Sequence, residues 1–228
     1  MRGPGIGMRA TLVIALLWLG FVATHMWPSR VGTRPRLVAR LGEGPFLGLY
    51  TAVSFAFFVP LVWFYLGHKH AGPTLWSIPL TTPVRWTIYG LMGVALTMAV
   101  SGLVRPSPAA LVPGDPTPRG MQRITRHPLF MGLGLFGLLH LIPNGSAADV
   151  AFFGGFPLFA LVGCFHQDRR KLATGAAGFR AFYDATPFLP FTGHDTLRGL
   201  RELSPLVVAL GTFATLLIRH FHSRWFGG

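Results

Sequence analysis

Six stretches of this chain run apolar for about the length of a helix with almost no charge, and arginine and lysine collect between them. A chain with that alternation has lipid and water as successive solvents. In hydrocarbon its backbone polar groups must be satisfied within each spanning segment, which leaves helices as the way across. Composition agrees. Of the 228 residues, 51% are hydrophobic and 12% charged, against about 25% charged in an ordinary soluble domain. The expected fold is an all-α, polytopic helical bundle of about six transmembrane helices in one domain, residues 10–220, with short tails at 1–9 and 221–228.

The predicted spans are about Thr11 to Trp27, Phe46 to Leu66, Trp86 to Val104, Leu129 to Ile142, Val150 to Phe165 and Leu203 to Ile218. A crossing needs about 20 residues. The fourth and fifth are short unless their ends extend, and would form a hairpin about the turn Pro143-Asn144-Gly145-Ser146. The first run follows Arg2 and Arg9 as a signal peptide would. It ends in Thr24-His25-Met26-Trp27, without a small-residue cleavage pattern, and is read as a retained helix. Pro106 to Arg119 reads as an irregular loop. Gln167 to Ala181 reads as a separate surface helix interrupted near Gly175 and Gly178.

Charge sets the orientation. Three connections, from Pro28, Arg105 and His166 onward, hold fourteen of the twenty Arg and Lys residues, and the opposite side holds six. The positive-inside rule places the three basic connections in the cytoplasm and both termini outside; the expected location is a bacterial inner membrane. The net charge of +13 therefore answers to headgroups and topology, and no nucleic-acid partner is expected. Cys164, the one cysteine, excludes a disulfide within the chain and reads as a small buried hydrophobe.

Ionisable groups inside spans are functional hypotheses. Carboxylates hardly occur there. Asp149 and Glu202 only border spans, so a relay of buried acids is not expected. Histidines do occur. His25 ends the first span on the face of Trp18 and Phe21. His140 ends the fourth, one turn after Phe136 and Gly137. Neutral imidazoles in an apolar, aromatic surrounding suit axial ligation of haem iron, and they equally suit hydrogen bonds across helices. Gly132, Gly134 and Gly137 would admit either a flat macrocycle or a close helix. Arg126 and His127, with Pro128 at a helix start, suit an anionic cofactor group or simple snorkelling of basic side chains. Asp168, followed by Arg169, Arg170 and Lys171, could clamp Arg126 or another loop arginine. The pairs His68/His70 and His220/His222 lie in a loop and the tail with no further ligands at a structural metal spacing.

Taken together, His25, Leu49-Tyr50, Gly72-Pro-Thr-Leu-Trp76, Ile124-Thr-Arg-His-Pro128, His140, Asn144-Gly145 and Asp168-Arg169-Arg170 resemble the NnrU family, and within it the branch of the 15-cis-zeta-carotene isomerases. The resemblance covers about Ala10 to Phe191. It implies haem b held by His25 and His140 as iron ligands, with Arg126, His127, Asp168 and Arg169 near the cofactor. It also implies isomerisation of the central cis double bond of a linear carotene, a hydrophobic substrate taken from the bilayer among membrane lipids. The bacterial NnrU proteins imply instead an accessory role in nitric oxide metabolism. Arg126-His127-Pro128 and the Asp168 segment also resemble the isoprenylcysteine methyltransferase-like membrane fold, which implies S-adenosylmethionine chemistry. Phe130 stands where those enzymes carry a tyrosine, and Asp168-Arg169 stands for their acidic pair. Helix lengths set His25 and His140 towards opposite faces, so His127 is the alternative second ligand.

Overall fold

The computed structural model describes residues 4–110 and 114–226. Leu111 to Pro113, within the loop expected from Pro106 to Arg119, and the extreme tail residues 1–3 and 227–228 lie outside the described residues. Among the described residues the chain is all-α. Its helices are α1 Pro4–Met26, α2 Arg34–Leu41, α3 Glu43–Gly67, α4 Thr82–Val104, α5 Met121–Ile124, α6 Pro128–Leu141, α7 Ala147–Ala173, α8 Phe179–Ala185, α9 Thr196–Arg201 and α10 Pro205–Phe226. One isolated antiparallel bridge joins Thr74 and Ser146.

Five helices, α1, α3, α4, α7 and α10, are long and apolar enough to cross a membrane. The span expected at Leu129 to Ile142 is α6, whose 14 residues rise about 21 Å against a hydrocarbon core of about 30 Å. The span expected at Val150 to Phe165 is longer than its apolar run. α7 continues through Gln167–Ala173 because Gln, Arg, Lys, Leu and Ala all favour helix. The separate surface helix expected from Gln167 is therefore the end of α7. The chain breaks where expected, at Gly175 and Gly178, both with positive φ, before α8. The first helix starts earlier than expected and ends at Met26, so His25 lies in its last turn. His220 and His222 lie on α10.

The chain packs as two compact units. The first comprises residues 1–79 and 140–155. Here α1 packs along α3, with Ile14, Trp18, Phe21, Leu61, Tyr65, Phe152 and Phe153 buried. Apolar side chains on the other faces, such as Trp63 at 80% exposed, are those of helices solvated by lipid. Trp18 Nε1 donates to the Phe152 carbonyl at 3.1 Å, and a Cβ on Gly155 would fall on the Trp18 ring.

The second unit comprises residues 80–139 and 156–228. α10 packs along α4, where Gly211 lets the Thr97 backbone approach. Met98, Met121, Ile124, Met131 and Cys164 form one cluster, which gives Cys164 the expected role of a small buried hydrophobe. Ala109, Phe179 and Phe182 form another. Gly132 faces the α4 backbone at Ala95 and Ala99, and Gly134 faces Ala160 of α7. Close helix packing accounts for both glycines.

Candidate cofactor site

In the first unit, His25 is held at both ends. Its Nδ1 lies 3.2 Å from Ser54 Oγ. The Ser54 hydroxyl donates its one proton to the Tyr50 carbonyl at 2.8 Å, so towards His25 the oxygen can only accept. Nδ1 therefore carries the proton, and in the neutral ring the lone pair sits on Nε2. Tyr50 Oη donates to the His25 carbonyl at 2.9 Å, and its ring lies 4.8 Å from the imidazole. Phe21 lies 5.4 Å away.

His140 stacks face to face on Phe153 at 4.5 Å and 15°. Asn144 Nδ2 donates to the His140 carbonyl at 2.8 Å, and Trp76 Nε1 donates to the Leu141 carbonyl at 2.9 Å. Both contacts satisfy carbonyls that a helix end leaves open. Trp76 belongs to a strap, residues 68–79, that also receives the α7 amides. Ala147 N donates to Pro73 O at 3.0 Å and Ala148 N to Ala71 O at 3.1 Å. Gly72 has φ 86° and lies against Ala147, Thr11 and Gly7, where only glycine fits without strain. Within this unit the residues that carry the family resemblance fall into two groups. Tyr50 fixes His25, and Gly72, Trp76, Asn144 and Gly145 shape the end of α6 that carries His140.

Depth separates the two histidines less than their helix ends suggested. His140 stacks at the level of Phe153, and Trp18 binds the carbonyl of the neighbouring Phe152. His25, seven residues beyond Trp18, lies about 10 Å further along α1. Phe21 lies between them along α1, 5.7 Å from Trp18 and 5.4 Å from His25.

The same unit holds a polar cluster that the sequence reading did not anticipate. Asp149 is fully buried and accepts from Tyr65 Oη at 2.9 Å, Ser146 Oγ at 2.7 Å, His70 N at 3.2 Å and His70 Nδ1 at 2.9 Å. The Tyr65 ring stacks on Phe152 at 3.9 Å and meets Phe153 edge-on at 5.4 Å. The cluster therefore backs the aromatic pair that carries His140. Its signal in the sequence is Ser146-Ala-Ala-Asp149, a capping box at the start of an apolar run. His70, which the sequence placed in a loop beside His68, is the exposed partner of this acid. Among the described residues no group of three or more His, Cys, Asp and Glu is arranged to hold a metal ion. A haem asks the protein only for axial ligands, so that absence does not bear on it.

The second unit brings Arg126, His127 and Asp168 together and leaves Arg169 apart. Arg126 Nε donates to Asp168 Oδ2 at 2.8 Å, and its NH1 donates to the Thr186 carbonyl at 2.7 Å. Its guanidinium lies 4.2 Å from the Tyr183 ring centre. His127 Nε2 lies 2.9 Å from Asp168 Oδ1. All three are buried, and the clamp expected between Asp168 and Arg126 is present. Arg169 is exposed and extends over Phe165. Both Asp168 oxygens are engaged, so this trio ties the entry of α6 to α7 and to the segment after α8. His127 has Nε2 on a carboxylate, whereas His25 has its proton on the other nitrogen.

One curated relative matches at 22% identity over 183 residues, the protein named 15-cis-zeta-carotene isomerase, chloroplastic, of Zea mays. The match covers 79% of this chain and 50% of that protein, so the chain spans about half the length of the relative. No solved structure matches the chain. The family model described as NnrU protein matches residues 12–228, and the chain belongs to the NnrU family of membrane proteins.

Proposed function

We propose that this protein binds haem b through His25 and His140 and isomerises the central cis double bond of a linear carotene drawn from the bilayer. The observation that carries the reading is the His25 hydrogen bond to Ser54. A metal-bound imidazole typically has its second nitrogen engaged by an orienting partner, and Ser54 is that partner by proton count. The Phe153 face supports His140 in the same unit, and the name of the maize relative supplies the substrate class. Bound haem would supply an iron centre at which a conjugated double bond loses bond order and rotates with no net redox change. The chain's own part is to present Nε2 of His25, to hold the His140 ring against Phe153, and to line the surroundings with aromatic side chains that exclude water.

The orientation follows the same reading. The basic connections carrying α2, α5, α8 and α9 face the cytoplasm of a bacterial inner membrane, an arrangement that requires the short α6 to carry the chain across before α7. The test is an assay of the purified, reduced protein in lipid with a 15-cis linear carotene, followed by chromatography of its isomers. Conversion to the all-trans central bond, lost in His25→Ala, supports the reading, and an unchanged isomer ratio with haem present contradicts it. That second outcome would favour a haem-bearing accessory role in nitric oxide metabolism, which the match to the NnrU model over nearly the whole chain also supports. Methyl transfer from S-adenosylmethionine has less support, because Arg126, His127 and Asp168 are engaged with one another.

A further inference from the structure

We infer that α2 is an interfacial helix whose Arg36 and Arg40 bind the phosphates of anionic phospholipids. The helix lies between the end of α1 at Met26 and the start of α3 at Glu43. Both neighbours are spans, so the segment joining them stays on one side of the bilayer, at its surface. It is tied there by a run of short turns, with Arg30 N donating to Trp27 O and both Thr33 N and Arg34 N to Arg30 O.

The faces of α2 are distinct. Leu37, Val38 and Leu41 share one side at helical spacing, and none of the helix's residues is fully buried. Leu41, with Trp27 and Val31 just before the helix, is about half exposed. These are the residues an interfacial helix sets into the acyl boundary. Arg34 does not belong to the proposed site. It binds Glu43 Oε1 at 3.1 Å and lies 5.5 Å from the Phe46 ring, which fixes the start of α2 on the start of α3. Arg36 and Arg40, one turn apart and exposed, lie to one side of the apolar stripe, with Arg30 exposed in the preceding turn. Glu43 is the only acid from Trp27 to Glu43 and is already paired. The segment therefore carries three cations beyond that pair, at the depth of headgroup phosphates. A positively charged segment against an anionic leaflet is attracted by each arginine in turn, and the ligand chemistry is a phosphodiester with a net negative headgroup.

The experiment uses the whole chain purified in mild detergent. It is titrated with brominated phosphatidylglycerol or brominated phosphatidylcholine, and quenching of tryptophan fluorescence is read, with Trp27→Phe identifying the α2 signal. The expected result is quenching of Trp27 by the anionic lipid at about tenfold lower concentration than by the zwitterionic one. Arg36→Gln/Arg40→Gln should abolish that difference while leaving the circular dichroism unchanged, and 0.5 M salt should abolish it as well, on the order expected for exposed charges. Should the double variant lose its helical signal, Arg40→Gln alone must still narrow the difference. Equal quenching by the two lipids, or an anionic preference untouched by the variants, overturns the proposal. So does displacement of the anionic lipid by millimolar inorganic phosphate, which would mark a site for free anions. None of these readouts depends on haem.

Discussion

His25 Nδ1 lies 3.2 Å from Ser54 Oγ, and the Ser54 proton is committed to Tyr50 O at 2.8 Å. The pair sets which imidazole nitrogen holds a proton before any ligand arrives. Ser54→Ala removes the acceptor and frees the ring to rotate. Haem retention should fall about 10- to 100-fold, the usual effect of losing an orienting partner behind a metal ligand. Ser54→Thr, which keeps the hydroxyl, should restore most of it. Titration of the apo-protein with haem measures both.

Asp149 accepts four hydrogen bonds from three residues. Asp149→Asn keeps the shape but sets an amide donor against the Ser146 and His70 donors. A loss of about 1–3 kcal/mol is expected, with Tyr65→Phe costing about 1 kcal/mol. Thermal unfolding in detergent checks both. Because Tyr65 packs on Phe152 and Phe153, Asp149→Asn should also broaden any spectrum that depends on His140.

Asp168 neutralises Arg126 and orients His127 where all three are buried. Removing one partner of a buried charge pair leaves the other uncompensated, at about 3–5 kcal/mol. Asp168→Asn should therefore lower the unfolding midpoint more than any single change in the Asp149 cluster. Arg169→Gln, at an exposed position, should leave it nearly unchanged. Parallel melts of the two variants decide this.

Glu202 has its carboxyl held down at about 2, first by the Arg123 side chain and then by the Gly120 amide. Arg123 Nε lies 2.8 Å from Glu202 Oε2 and its NH1 lies 2.8 Å from Asp195. A folded value below the unfolded one near 4.5 stabilises at neutral pH. That contribution fades only as pH falls from about 4.5 towards about 2. The site is exposed and salt-screened, so the effect is small. Glu202→Gln should flatten that limb of the pH–stability curve and leave its shape above pH 5 unchanged.

Much of this arrangement was legible in the sequence because it follows from local composition. The apolar runs located the five long helices, and Gly175 and Gly178 marked the break before α8. Asp168, at the end of the fifth apolar run, offered a clamp for Arg126 or another loop arginine, and Arg126 takes it. What local pattern could not show depends on distant pairing. His70 and Asp149 are 79 residues apart, so a loop histidine and a border acid gave no sign of meeting. The length of α7 was hidden because hydropathy ends at the headgroups while helix propensity continues through Gln167–Ala173. Trp18 and Phe152, which fix the register of α1 on α7 within the first unit, are 134 residues apart, and no local pattern announced that pairing.

The most direct test of the central claim is the absorption spectrum of the detergent-purified protein from haem-supplied cells, oxidised and then reduced, beside His25→Ala, His140→Ala and His127→Ala. Sharp reduced bands of a six-coordinate haem b are expected, lost or altered in the first two variants and retained in the third. A wild-type protein without haem, or a spectrum that survives His140→Ala and disappears in His127→Ala, would contradict that claim.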